Sequence, residues 1–220
     1  MTLRMKKLAL FAAMFTAAAA AQAGPLQVMV LDKEGKPVPD AVVALAPSHP
    51  GAVPHTLPEH VTINQQKMRF VPAVTLVAVG AKGTFVNNDP WEHHVRGSAA
   101  GIRSFDDSDK GGFEFRLDGK LPGKPAKQAE VTFDKPGPVL LGCHLHASMR
   151  GHVYVSDTPW AAITAADGTA TFDSVPDGPV FVRVWDADQL IDLPPQQMVL
   201  TAAPAKATLR LSVVPRRKRI

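Results

Sequence analysis

Beyond residue 24 the chain is built from short runs in which apolar and polar residues alternate, and no stretch carries a sustained helical period. Val28 and Val30, then Val42 and Ala44, alternate on either side of DKEGKP, which reads as a hairpin turn. Residues 48–60, SHPGAVPHTLPEH, form a connector with proline and histidine. Residues 61–157 are rich in strand patterns. KMRFVPAVTLVAVGAKGTFVNND supplies two or three strands, and PWEHHVRG follows a turn. AEVTFDKPGPVLLGC gives two more strands, and RGHVYVSD the last of the block. After residue 158 two short strands, 169–173 and 180–185, flank a VPDG turn. A final strand, KATLRLSVV, alternates Leu209, Leu211 and Val213. An all-β protein is expected.

Composition agrees with many strands and turns: 20 Pro and 16 Gly punctuate a chain that is neither disordered nor fibrous in its usage. The first 23 residues differ. Arg4, Lys6 and Lys7 precede an apolar, alanine-rich run from Leu8 to Ala21, and Ala21-Gln22-Ala23 offers a small-residue cleavage site before Gly24. The run is shorter than the roughly 20 residues a membrane span needs. A cleaved signal peptide over residues 1–23 and a periplasmic location are therefore expected, with no membrane span.

This changes the charge picture. The chain's +4 includes three cations of the leader, and the rest carries about +1. Four of the remaining cations sit in residues 214–220, with Arg216, Arg217, Lys218 and Arg219 read as a solvated basic tail. No extended basic face suggests a nucleic-acid partner.

Cys143 is the single cysteine, so an exported chain cannot pair it internally. It must be buried and inert, paired with another chain, or bound to something. It lies in GCHLHASMRGHVYV, with His146 three and Met149 six residues on. Strand parity sorts the neighbours. Val139, Leu141 and Cys143 share a face, and so do Met149, Gly151, Val153 and Val155. His144 and His152 point away from those faces and read as surface residues. Upstream, His93 shares a face with Val95, and His94 takes the other. A reversal at 144–148 brings His146 beside Cys143.

One thiolate, two imidazoles and a thioether form a soft, mixed donor set. Two His and one Cys with a weak axial Met are the signature of a mononuclear blue-copper electron-transfer site. Structural zinc sites favour Cys-rich or Cys₂His₂ sets. A binuclear copper centre would need a second cysteine, and haem attachment a C-x-x-C-H motif; the chain has neither. No catalytic triad stands out, and a non-enzymatic role is expected. His49, His55 and His60 in the connector read as solvated loop histidines, and Trp91 as rim packing.

These residues resemble the cupredoxins, the family of plastocyanin, pseudoazurin and amicyanin. Cys143-His146-Met149 has the spacing of the short amicyanin-type loop, and NNDPWEHHV looks like the family's N-N-x-x-x-P-H-N-V stretch. The chain departs from it at Glu92, where the family has proline, and at His94, where it has asparagine. His93 and His94 thus compete for the upstream ligand position. FDKPGPVLLGCHLHASM also resembles exported plastocyanin-like proteins labelled methylamine utilisation proteins. The resemblance covers roughly half of the chain beyond the leader. It implies a Greek-key β-sandwich or barrel holding one copper per chain through His93 (or His94), Cys143, His146 and Met149. It further implies single-electron transfer between transient redox partners, with His146 as the electron port, ringed by Leu145 and Ala147.

VMVLDKEGKPVPDAVVAL resembles the opening of a carboxypeptidase regulatory-like (transthyretin-like) β-sandwich, and TAADGTATFDSVPDGPVFVRVW its continuation more than 100 residues later. An interrupted domain follows as the expectation. Residues 24–47 and 158–213 would form a small transthyretin-like sandwich, and 48–60 a connector into an inserted cupredoxin domain at 61–157. Two consecutive domains are the alternative layout. Two other functions compete with electron transfer: a copper-binding or delivery protein without redox cycling, and an interaction module with a vestigial copper site.

Overall fold

The structure is a computed structural model, and it describes residues 23–49, 51, 57–100 and 112–216. The expected leader (to residue 22), His55, and Arg217, Lys218 and Arg219 of the tail lie outside the described residues. No helix occurs among the described residues, and none is long and apolar enough to cross a membrane.

The chain begins with β1 (Ala23–Leu31) and β2 (Val42–Pro47). The middle block supplies β3 (His60–Gln65), β4 (Phe70–Val71), β5 (Val74–Ala78), β6 (Ala81–Asn87) and β7 (His93–Ala99). It continues with β8 (Phe113–Leu117), β9 (Lys127–Phe133), β10 (Gly137–Cys143) and β11 (Arg150–Ser156). The last stretch gives β12 (Ala161–Ile163), β13 (Thr169–Pro176), β14 (Gly178–Trp185), β15 (Gln196–Leu200) and β16 (Ala205–Arg210).

The two ends of the chain share one core. β1 lies between β13 and β16 in a three-stranded sheet, and β2 between β12 and β14 in a four-stranded sheet that ends with β15. Leu26, Val28 and Val30 meet Val43, Leu45, Phe172, Val182 and Leu211 between these sheets, all nearly excluded from water. The DKEGKP turn forms, held by Asp32 Oδ1 accepting from the backbone N–H groups of Glu34 and Lys36. Its arms pair briefly as expected from the sequence, with Leu31 bridged antiparallel to Pro37 and the Val38 N–H donating to the Val30 carbonyl at 3.0 Å, but the pairing stops there and β1 and β2 join different sheets.

The middle block makes its own sandwich, with a five-stranded sheet in the order β5-β11-β10-β7-β8 and a four-stranded sheet in the order β4-β3-β6-β9. Its core is Ile63, Phe70, Val77, Phe85, Val95, Leu141, Met149, Val153 and their neighbours. Period-two alternation explains the choice: along β6, Ala81, Gly83, Phe85 and Asn87 are buried while the residues between them are not.

Strict alternation fails where the two sandwiches touch. Val42 and Ala44 face away from the core of the chain ends, and Val43 and Leu45 line it. Val42 packs with Val74, Tyr154 and Trp185, and Ala44 with Leu57 and Ala161. β2 is therefore buried on both sides, as is the Val153–Ser156 end of β11. His152 belongs to this contact: its ring lies 5.4 Å from that of Trp185.

Candidate metal centre

The centre forms where β7 and β10 end side by side. Cys143 stands opposite Val95 in the antiparallel ladder, so their side chains share a face, and His93, two residues before Val95, joins them. The backbone N–H of His144 donates to the His94 carbonyl at 3.1 Å, extending the pairing one residue past the strand end. The chain then reverses, and the Met149 N–H donates to the His146 carbonyl at 2.9 Å. This turn carries His146 back over the sulfur.

Cys143 Sγ lies 3.7 Å from His93 Nδ1 and 3.5 Å from His146 Nδ1. The two imidazoles meet edge to face, with centroids 4.9 Å apart and planes at 64°. Cys143 is a free thiol and is buried, His93 is fully buried, and His146 is half-buried. Met149 is 1% exposed and sits in the same core cluster as Cys143. His94 is on the other side of the sheet, its Nε2 paired with Glu114, and has no part in this cluster.

The donor atoms fit a metal ion. A metal–sulfur bond of about 2.3 Å and metal–nitrogen bonds of about 2.0–2.1 Å put ligands that are about 120° apart at about 3.7 Å from each other. The two sulfur–nitrogen distances, 3.5 and 3.7 Å, match that requirement. Both histidines turn Nδ1 to the sulfur, which leaves each Nε2 for another partner.

For His93 that partner is Asp89, a residue the sequence reading did not single out. Asp89 Oδ2 lies 2.9 Å from His93 Nε2, and this accepting carboxylate fixes the proton on Nε2 and frees Nδ1 for ligation. Asp89 also accepts from the backbone N–H groups of Lys67 (2.6 Å) and Met68 (2.9 Å). Burial alone would raise the Asp89 carboxyl. The donors at Met68, His93 and Lys67 outweigh it and hold the group below the usual carboxylate range.

Asn87, also overlooked in the sequence, ties down the segment between β6 and β7. Its Nδ2 lies 2.9–3.0 Å from the carbonyls of Trp91, Leu117 and Asp118, and its Oδ1 accepts from the Asp89 N–H at 3.0 Å. Gly119 completes the clamp. A Cβ there would come within 2.2 Å of the Pro90 carbonyl oxygen, so only glycine lets this loop close against residues 90–91. A legible hint existed in NNDP, where Asn and Asp crowd a turn just before the histidines.

The rim is apolar. Leu145 is 48% exposed and Trp91 41% exposed, and Ala147 is also exposed. Trp91 thus lies partly open to solvent at this end of the sandwich.

Residues 58–156 match the family model of copper binding proteins of the plastocyanin/azurin family. Among solved structures, amicyanin from Paracoccus versutus (Thiobacillus versutus) is 22% identical with a TM-score of 0.31, covering 52% of this chain and 97% of its own. An oxidized amicyanin mutant is 19% identical with a TM-score of 0.35, covering 52% of this chain and 98% of its own. No curated protein matches. The fold class is all-β, and the middle segment is a β-sandwich similar in sequence to copper binding proteins of the plastocyanin/azurin family.

Proposed function

We propose that this protein is a single-electron carrier with one mononuclear copper centre, exported to the periplasm, and not an enzyme. The observation that carries the reading is the convergence of two imidazole Nδ1 atoms on the sulfur of a buried, unpaired cysteine. His93, Cys143 and His146 would hold the ion, with Met149 as a further donor from the core. Copper bound there supplies a reversible Cu(I)/Cu(II) couple, and His₂Cys-Met is the donor set of such centres.

The chain's own residues do the rest. β7 and β10 hold Cys143 and His93 on adjacent strands, so those donors shift little whichever charge the centre bears. Asp89 and Asn87 hold the orientation of the segment carrying His93. His146, half-buried in an apolar rim, gives a redox partner a short path to the centre, and such encounters are small and transient. The two chain ends, residues 24–47 and 158–213, form in this reading a transthyretin-like sandwich that carries the cupredoxin segment as an insert.

The test is voltammetry on the copper-loaded protein. A reversible one-electron wave together with an intense visible band supports the carrier. Tight copper uptake with no reversible wave points instead to delivery. His93→Ala should remove the band, whereas His94→Ala should leave it.

A further expectation concerns Asp89→Asn. Asparagine brings one acceptor oxygen where Asp89 uses two to receive three donors. Copper affinity should fall roughly 10–100-fold, the usual cost of losing an outer carboxylate on a ligating histidine. Competition against a chelator of known affinity measures it, and an unchanged affinity would remove Asp89 from the centre.

A further inference from the structure

Across the β7–β10 sheet from the buried centre, His94, Glu114 and His144 bring three more donor atoms together, all within 4.8 Å of one another. We infer that these residues form a second, surface metal site for a borderline divalent transition ion such as Cu(II) or Zn(II), wired by single peptide links to the ligands of the first.

Several observations point the same way. The His94 and His144 rings meet edge to face, centroids 4.7 Å apart and planes at 67°. That is nearly the arrangement of His93 and His146 on the inner side, at 4.9 Å and 64°. Two imidazole pairs with similar geometry thus sit back to back. Glu114 stands opposite Arg96 in the ladder, yet its carboxylate is directed to the diagonal neighbour, His94, at 2.5 Å. A simple cross-strand ion pair would need only these two groups and would contribute little on an exposed surface. The third donor, His144, comes from the turn after β10, outside the β7–β8 pair.

The donor chemistry selects the ion. Two imidazoles and one carboxylate with open positions suit a borderline transition metal and not calcium or magnesium, which take oxygen ligands. Cu(II) should bind more tightly than Zn(II) by the general affinity order. Glu114 is half exposed and His144 exposed, so an ion reaches the site directly from solvent.

The placement has a consequence, which rests on the redox reading of the first centre. His94 is bonded to His93, and His144 to Cys143. A dication held there lies near the first centre and favours its less positive, reduced state. Occupation of the outer site should therefore raise the reduction potential of the inner one.

Zinc separates the two sites because it is redox-silent. Calorimetric titration of Cys143→Ala with Zn(II) should show one equivalent bound by a site that does not need the thiolate. Adding His94→Ala and His144→Ala, or Glu114→Gln alone, should weaken that uptake at least about tenfold. Failure of Cys143→Ala to bind zinc, or uptake equal in all these variants, overturns the outer site while leaving the inner one untouched. On protein with Cys143 intact and loaded with a single equivalent of copper, Zn(II) should shift the potential upward, and the shift should vanish in Glu114→Gln, whose exposed side chain can be changed without disturbing the core. A potential indifferent to zinc that is nonetheless bound overturns the coupling.

Discussion

If the proposed copper centre holds, Cys143→Ala should abolish the intense visible band expected of the copper-loaded protein and weaken copper binding by more than about 100-fold. The band needs a thiolate-to-metal charge transfer, and the chain has a single sulfur of that kind. The affinity figure follows from the scale of lesser changes. Outer-sphere substitutions already cost roughly 10–100-fold, and a thiolate ligand should matter more. Any Cu(II) kept by His93 and His146 alone would give only weak absorption. The fold should survive, since the change removes one buried sulfur atom at a cost on the order of 1 kcal/mol. Circular dichroism should thus match the parent while the visible spectrum goes blank. An undiminished band in the variant would show that copper sits elsewhere and would end the His93–Cys143–His146 reading.

The contrast between Cys143 and Asp89 shows which parts of such a centre can be read in advance. Cys143 and His146 are separated by three residues of a turn, and Cys143 shares strand parity with Leu141. Local rules of period and turn length suffice to bring sulfur and imidazole within 3.5 Å. Asp89 is different. Its role depends on Lys67 and Met68, backbone donors 22 and 21 residues away, in a turn with positive φ at both residues. No local pattern announces that a remote turn will present two N–H groups to one carboxylate.

The same limit shows in the strands. Alternation marks out β6 and β7, each exposed on one face, and the all-β class follows from many such runs. It does not orient β2, because a second sandwich covers the face that would otherwise be polar. VVAL reads equally well in either parity, and only the partner surface, with Tyr154 and Trp185, decides which valine faces which core. The segment DKEGKP shows the same boundary. Its turn is local and closes with Leu31 bridged to Pro37, but how far the pairing runs depends on β13, β14 and β16, which follow more than 120 residues later.

Phe85→Ala and Phe172→Ala should each destabilise the protein by about 3–5 kcal/mol, but in different places. Both rings are almost wholly buried: Phe85 is 0% and Phe172 2% exposed. Phe85 lies at the centre of an aromatic cluster, with ring centroids 5.3 Å from Phe115, 5.6 Å from Phe113 and 6.5 Å from Phe70. Phe172 belongs to the other core, with Leu26, Val43 and Leu211. The loss is large against a usual total of about 5–15 kcal/mol, so each variant should shift a thermal transition by many degrees. The proposed insertion makes the two shifts separable. With the copper-loaded protein, Phe85→Ala should lower the temperature at which the visible band disappears. Phe172→Ala should lower a different calorimetric transition and leave the band's own midpoint nearly where it was. The contact around Val42, Val74, Tyr154 and Trp185 works against separation, because unfolding one sandwich exposes its neighbour's apolar surface there. With the neighbouring group of Ala44, Leu57 and Ala161, that contact holds seven buried residues among those described, against the 13 and 17 of the two cores, so coupling should be the weaker effect. One transition, lowered equally by both substitutions and carrying the band with it, would mean that the two sandwiches fold as a single cooperative body.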